Sequence, residues 1–238
     1  MIGPISFSFF TLVHASIALL ALAFIGELPA AALCLCAVEA ATAFDNGVTV
    51  IGNRMGIGQA TERLNRLRFL LHAVCIGLLV PVYAGIGNAL AFSGESALMI
   101  DTAARVLAIV ICLYGYFFQY RSVGSLMPVS YFGCLRYAQS VTETTRLAGY
   151  DYTAEELLAK GKMPVASIYT TLIGLLVALA IGWFGSFWVP CIVTALMFLA
   201  GSFPLRSWGP FATSCLEIIF SAGMLYSLSV AAAAVFAG

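Results

Sequence analysis

Three side chains that could bind a cation or carry a proton interrupt an apolar stretch of the sequence. The stretch runs from Pro29 to Gly52 and contains Glu39, Asp45 and Asn46. It is long enough to cross a bilayer as a helix, where a carboxylate costs roughly 2.5 kcal/mol or more. Acidic residues retained at that cost usually face a protein interior and act there. The stretch therefore predicts a functional polar site within the membrane.

Helical geometry places these side chains along one broad stripe. At about 100° per residue, Glu39, Thr42 and Asn46 fall on one face, and Asp45 lies about 60° from Thr42. The rise along the helix separates Glu39 from Asp45 by roughly 9 Å. We therefore expect an outer station at Glu39 and an inner group around Asp45 and Asn46.

Two further apolar segments carry ionisable residues at a matching depth. Arg68 and His72 share a helix face at i, i+4 spacing, and residue count puts His72 level with Asp45. Glu217 lies about one turn inside the last apolar segment. The predicted substrate-binding residues are Glu39, Asp45, Asn46, Arg68, His72 and Glu217. If the protein is an enzyme, Glu39 and Asp45 are its predicted catalytic residues.

Several of these residues also have a purely structural interpretation. Arg68 and Glu217 lie near span ends, where long side chains extend to the membrane interface. His72 fits a hydrogen-bonded packing residue equally well. His14, in the first apolar segment, is predicted to be a satisfied core residue. Two acids in one span are harder to explain in this way, because serine or threonine supports helix association at less cost.

The composition requires an environment other than water. Of the 238 residues, 62% are hydrophobic and 9% are charged, with a mean hydropathy of +1.01 and zero net charge. Soluble domains carry about 25% charged residues. The chain therefore predicts an all-α integral membrane protein, with a single polytopic domain over residues 1–238 built as a bundle of about seven transmembrane helices.

Seven segments have the length and apolarity of a transmembrane helix, which needs about 18 or more residues with few charges. They are 5–25, 29–52, 67–92, 103–120, 164–184, 187–204 and 213–236. The sixth is short, contains Pro190, and is predicted to form a tight helical hairpin with the fifth. The loop at about 121–163 is the sizeable region outside the membrane. Thr153 and Glu156 in that loop have the spacing of a helix capping box.

Most of the basic residues fall on one side of this arrangement. They are Arg54, Arg63, Arg66, Arg68, Arg121, Arg136, Arg146, Lys160, Lys162 and Arg206. Arg105 alone falls on the other side. Because positive residues concentrate on the cytoplasmic side, the N-terminus and the 121–163 loop are predicted to be cytoplasmic. With seven spans, the C-terminus then lies outside.

The residue content disfavours several classes of function. The basic residues form no patch interleaved with aromatic residues, so nucleic acid is not a predicted partner. Two histidines, and seven cysteines placed mostly in apolar segments, predict no metal site and no cofactor. Lys160 and Lys162 both lie in a loop, which excludes a retinal protein with its intramembrane Schiff base. The predicted partners are the lipid bilayer and a small ion or small-molecule substrate.

The spacing Glu39-x5-Asp45-Asn46 resembles the acidic span of TerC-type membrane proteins, which are associated with metal-ion export. The resemblance covers roughly eight residues. Such families carry a matching acidic motif in a later span, as inverted-repeat transporters would. No later span of this sequence repeats the motif, because Glu217 lacks the Asp-Asn pair, so no function is carried over from the resemblance.

Three functions are compatible with the sequence. The favoured one is a transporter or exchanger for a small cation or small solute, which uses the intramembrane carboxylates and can couple to protons. The second is a membrane-embedded enzyme in which a protonated Glu39 or Asp45 acts on an apolar isoprenoid or lipid substrate, as in a terpene cyclase. The third is a non-catalytic subunit of a membrane complex.

Overall fold

The computed structural model describes residues 2–161, 164–202 and 209–237. This part of the chain forms a bundle of α-helices with one β-hairpin. The helices are α1 Ile2–Ala21, α2 Pro29–Met55, α3 Gln59–Cys75, α4 Leu79–Leu90, α5 Gly94–Tyr114, α6 Ala154–Leu158, α7 Val165–Gly185, α8 Val189–Ser202 and α9 Gly209–Ala237. The strands are β1 Met127–Tyr131 and β2 Cys134–Ala138. A short 3₁₀ turn joins α3 to α4, and a π-helical turn extends α5.

The predicted all-α membrane bundle is confirmed. Among the described residues, 6 helical segments are long and apolar enough to cross a membrane. They are Gly3–Phe24, Pro29–Met55, Gln59–Leu90, Gly94–Tyr120, Val165–Gly185 and Thr213–Ala237. The sixth predicted span corresponds to α8, whose apolar part, Val189–Leu199, is shorter than a full crossing. The chain is a multi-pass membrane protein.

Helix α3 begins well before its apolar segment. It starts at Gln59, so Arg63 and Arg66 lie in its first two turns, and the prediction that they lie in a loop is wrong. Arg54 likewise belongs to the last turn of α2. An i, i+4 ion pair of 2.9 Å between Glu62 and Arg66 supports the polar start of α3. Hydropathy marks only the apolar part of the helix. The helix itself begins earlier in the sequence, with polar residues that pair on its surface.

Helix α5 also begins earlier than its apolar segment. It starts at Gly94, nine residues before the predicted boundary at 103. The earlier start brings Asp101 into the helix, where it forms an i, i+4 ion pair of 2.7 Å with Arg105. Lys162 and Arg206, both assigned to loops from the sequence, lie outside the described residues.

Helix α1 shows how the bundle divides its residues between protein and lipid. Phe7, Phe10 and Ile17 are buried on one face at helical spacing. Phe9 and Leu12, on the opposite face, are 57% and 68% exposed. Large apolar side chains are exposed on the other long helices as well. An exposed apolar surface of this extent matches the hydrocarbon of a bilayer.

The two ends of the bundle are built differently. The β-hairpin lies at one end, against Gly3 at the start of α1, and we call this the hairpin end. The opposite end holds the main apolar core, which joins Ala31 of α2, Ile86 of α4 and Leu228 of α9. Helix α9 passes from the hairpin end, where Ile218 packs, to that core. Helix α1 therefore begins at the hairpin end of the bundle, and α9 ends at the opposite end.

The 121–163 loop contains a β-hairpin, although no strand was predicted there. Strands β1 and β2 pair antiparallel, with Tyr131 opposite Cys134. The two residues between them, Phe132 and Gly133, have φ of 52° and 79°. Positive φ at both central residues is the pattern of a tight type I′ turn, whose twist matches that of the strands. The glycine at the second turn position is the local signal for this hairpin.

The hairpin docks directly on α2. Gly52 permits the contact, because a Cβ at this position would overlap the carbonyl oxygen of Leu135. The adjacent Asn53 donates a hydrogen bond to the carbonyl of Gly133 at 2.7 Å and accepts one from the backbone N–H of Leu135 at 2.6 Å. The strand edge of β2 is therefore bonded to a helix instead of being left open.

The predicted capping box in the loop is confirmed. Thr153 precedes α6, and its Oγ1 accepts a hydrogen bond from the backbone N–H of Glu156 at 3.2 Å. In return, Glu156 Oε2 accepts from the backbone N–H of Thr153 at 2.8 Å. These reciprocal bonds satisfy two backbone donors that a helix start otherwise leaves unpaired, which explains why so short a helix forms.

Candidate functional site

A cavity of about 620 Å³ lies between the helices of the bundle. Residues of α1, α2, α3, α4, α7, α8 and α9 form its wall. Most of that wall is apolar, with Val38, Leu79 and Phe220 as examples. The histidines and acids on the wall are His14, Glu39, Asp45, His72 and Glu217. Polar chemistry is therefore concentrated at a few points of a mostly apolar space.

His14 and Glu39 form a buried pair that joins α1 to α2. His14 Nδ1 lies 2.7 Å from Glu39 Oε2, and the two residues are 0% and 1% exposed. The helices are consecutive and antiparallel, and the two residues are equally distant from the turn at 25–28. This equal spacing is the sequence signal for the pair. His14 was not among the predicted site residues, and the structure adds it to the site.

Arg68 joins Asp45 to the hairpin. Its Nη1 donates to Asp45 Oδ1 at 3.0 Å, and its Nη2 donates to the backbone carbonyl of Tyr137 at 3.1 Å. Asn65, in the preceding turn of α3, accepts from the backbone N–H of Tyr137 at 3.1 Å. Because Arg68 is 4% exposed, it does not act as an interfacial anchor. Its guanidinium does not line the cavity, but it neutralises the carboxylate of Asp45, which does.

Asp45 and His72 present polar atoms to the same region of the cavity. Although Arg68 binds one oxygen of Asp45, the Asp45 side chain is 38% exposed, because it also faces the cavity. His72 Nε2 lies 3.2 Å from Ser167 Oγ of α7. Asp45 and His72 are close enough to interact electrostatically. The structure thus brings together the two residues that the sequence places at equal depth.

Glu217 lies on the cavity wall without a hydrogen-bond partner in the described part of the chain. It comes from α9 and interacts electrostatically with Asp45, as well as with the His14–Glu39 pair. Glu217 therefore lies close enough to interact both with the predicted outer station at Glu39 and with the predicted inner group at Asp45. Glu217 is also the acid of the site that has no cation bonded to it among the residues described.

Arg136 of the hairpin supplies a second cation near the inner group. Its guanidinium carbon lies 4.2 Å from the centre of the Tyr131 ring. Burial, together with the positive charge of Arg68, lowers the pKa of Arg136 to about 10, so this side chain remains cationic at neutral pH. It interacts electrostatically with Asp45 and Glu217. Sequence reasoning counted Arg136 only as a loop charge, since its role depends on the unpredicted hairpin.

Asn46 is the predicted site residue that lies apart from the cavity. It is 5% exposed, and its Nδ2 donates to the carbonyl of Thr42, one turn earlier in α2. Four of the predicted residues lie on the cavity wall, namely Glu39, Asp45, His72 and Glu217. Arg68 reaches the site through its bond to Asp45.

The charges around the cavity do not balance. The carboxylates are those of Glu39, Asp45 and Glu217, and the guanidinium groups near them are those of Arg68 and Arg136. With all three acids ionised and both histidines neutral, one negative charge is left without a counter-charge. Within the described ranges, no group of three or more His, Cys, Asp or Glu residues is arranged to hold a metal ion. The site therefore suits an occupant with one positive charge, or a proton.

Comparison of this chain with models of known protein families, with curated proteins and with solved structures found no match. The short resemblance of the acidic span to TerC-type proteins is therefore not accompanied by a match to any family model. The function has to follow from the geometry and charge of the cavity itself.

A double-mutant cycle tests the buried pair of the site. The variants His14→Leu, Glu39→Leu and the double variant are compared with the wild type by their free energy of unfolding in detergent. Either single change leaves a buried polar partner unpaired, so we expect a coupling free energy of about 1.5 kcal/mol or more.

The matched control is the same cycle at the ion pair of Asp101 and Arg105. The Arg105 side chain is 62% exposed, so the coupling at this pair should stay below about 0.5 kcal/mol. Couplings of equal, small size at the two pairs would contradict the buried contact between His14 and Glu39.

Proposed function

We propose that the protein is a transporter or exchanger of small organic cations, which bind in the central cavity and exchange for protons. The observation that carries this proposal is the uncompensated carboxylate of Glu217 on the wall of a mostly apolar cavity. A charge at membrane depth is costly unless an occupant or a proton neutralises it. Acids in such positions are typical of ion and substrate pathways.

The size of the cavity favours an organic cation over a bare metal ion. Small-molecule sites in proteins measure about 300–1,000 Å³, and the cavity of about 620 Å³ falls in this range. Metal ions require several ligand atoms at about 2.0–2.6 Å from one point. The acids of this cavity are instead distributed over α2 and α9.

The apolar part of the wall can hold the body of such a cation. Phe220 lies one turn from Glu217 on α9, and Tyr83 reaches the cavity from α4. Aromatic rings attract organic cations by about 0.5–2 kcal/mol, depending on how far the cation is desolvated. A substrate with one cationic group and a compact apolar body therefore fits both the charge and the surface of the cavity.

Exchange for protons follows from the residues that share the cavity. Glu217 carries a charge that either a cation or a proton can neutralise, and histidine takes up protons near neutral pH. When the cation leaves, a bound proton restores the charge balance of the buried site. When a cation binds, it displaces that proton, so the two move in opposite directions.

A membrane-embedded enzyme is the second candidate. Glu39 is 1% exposed and lies beside apolar wall residues such as Val38. A carboxylic acid in such surroundings can act as a general acid on an apolar substrate. This candidate predicts conversion of an isoprenoid by the purified protein, lost in Glu39→Gln, and no cation uptake.

We also propose that the hairpin end faces the cytoplasm, because the basic residues of the 121–161 loop lie there. In a cysteine-free background, Glu95→Cys and Glu143→Cys place single thiols at exposed positions of opposite ends. A membrane-impermeant maleimide should label the first variant on intact cells and the second only after permeabilisation. The reverse labelling pattern would contradict this orientation.

Purified protein in liposomes with an acidic lumen tests the transport function. Radiolabelled benzyldimethylammonium and benzyltrimethylammonium serve as probes, and at least one should accumulate above the level in protein-free liposomes. Glu217→Gln removes the uncompensated charge and should lower uptake about tenfold or more, a loss of about 1.4 kcal/mol.

The control for this uptake assay is Glu155→Gln, which changes an exposed acid of α6. This variant should take up the probes at the rate of the wild type. The proposal is wrong if neither probe accumulates, or if Glu217→Gln transports as well as the control does.

A further inference from the structure

His14 is buried, yet only half of its hydrogen-bonding capacity is used. Its Nδ1 is bonded to Glu39, and its Nε2 has no partner among the described residues. The ring is 0% exposed and forms part of the cavity wall. The predicted burial of His14 is confirmed, but only one of its two ring nitrogens is hydrogen-bonded within the described residues. A buried polar atom without a partner costs about 1–3 kcal/mol, so an occupant that supplies the missing hydrogen bond is favoured.

The contact with Glu39 determines what the second ring nitrogen can bind. When Glu39 is ionised, its carboxylate only accepts hydrogen bonds, so Nδ1 of His14 then carries a hydrogen and donates it. In the neutral ring, Nε2 is then the bare nitrogen, with a single lone pair. That lone pair can take up a proton, which gives an imidazolium, or it can accept a hydrogen bond from the N–H of an occupant. It cannot do both at once.

We infer that Nε2 of His14 accepts a hydrogen bond from the substrate, and that the substrates are cations bearing an N–H group, such as tertiary ammonium ions. This inference rests on the proposed exchange of organic cations for protons and names the class of cation that is exchanged. A quaternary ammonium ion has no N–H, so it leaves Nε2 unsatisfied.

Thr170 marks a second unsatisfied polar position on the cavity wall. It is 1% exposed, and its Oγ1 has no hydrogen-bond partner within the described ranges. A hydroxyl group can both donate and accept a hydrogen bond. An occupant with polar hydrogens therefore finds an acceptor on α7 as well as on α1, which an occupant made only of methyl groups cannot use.

The charged groups that face His14 are acids. Glu39 faces it from α2 and Glu217 from α9, and both helices pack against α1. The other charged or titratable residues on the cavity wall are Asp45, His72, Cys75 and Tyr83, and Arg68, Tyr131 and Arg136 lie close enough to Asp45 to interact with it. The facing acids stabilise positive charge on a proton and on an ammonium ion alike. Because the carboxylates and the Thr170 hydroxyl can also accept a hydrogen bond from an N–H, variants of His14 are needed to assign the discrimination between the two kinds of cation to Nε2.

The test compares the binding of two probes to the purified protein in detergent. Benzyldimethylammonium carries one N–H, and benzyltrimethylammonium carries a methyl group in its place, so the probes are matched in charge and nearly in size. The first should bind about tenfold more tightly, the effect of one hydrogen bond from a charged donor.

Two variants separate binding at His14 from a structural role. His14→Gln retains an acceptor oxygen, so the preference for the N–H probe should remain. His14→Phe removes the acceptor and should bring the ratio to about one. A merely structural role would weaken both probes together. Glu155→Gln should keep the wild-type ratio.

Two results would overturn the inference, and they differ in what else they affect. If both probes bind with equal affinity, His14 does not select the N–H group, whereas cation binding in the cavity stands. If neither probe binds to the wild type, the proposed function itself fails, and the inference fails with it. The first result is measured on the wild type alone, so it can be obtained even if a His14 variant does not fold.

Discussion

Arg68 lies where the membrane helices, the cavity and the hairpin meet. A guanidinium inside a membrane bundle is stable only if its charge and its hydrogen bonds are compensated. Asp45 supplies the opposite charge, and the carbonyl of Tyr137 supplies a further acceptor. One side chain thereby holds α2, α3 and β2 in a fixed relation. The hairpin is for this reason part of the site as well as part of the fold.

The chemistry of the cavity depends on the polar groups that remain without a bonded partner. Glu39 is bonded to His14, and Asp45 is bonded to Arg68, so two of the acids have a partner. Glu217 has no cation bonded to it, and one ring nitrogen of His14 has no hydrogen bond, within the part of the chain that the structure describes. Both deficits lie on the wall of one cavity. A cation that carries an N–H fills both of them.

The sequence predicts the membrane class and the helices well, because a bilayer imposes length and apolarity on every span. Counting residues also placed Asp45 and His72 at one depth. The partner of Glu39 was missed, since it depends on the rotation of α1 about its axis, and a span rich in apolar residues on all sides shows this rotation poorly. The hairpin at 127–138 was missed because strand alternation is hard to recognise in a uniformly apolar chain.

The proposed function requires an organic cation to lie in the cavity beside Glu217, the acid without a bonded cation. The most direct measurement is an experimental structure of the protein with 4-bromobenzyldimethylammonium, in which anomalous scattering from bromine locates the probe. We expect the bromine among the cavity residues and the ammonium nitrogen within hydrogen-bonding distance of His14 Nε2 or the carboxylate of Glu217. A probe found only on the lipid-facing surface, with the cavity free of it, would contradict the account.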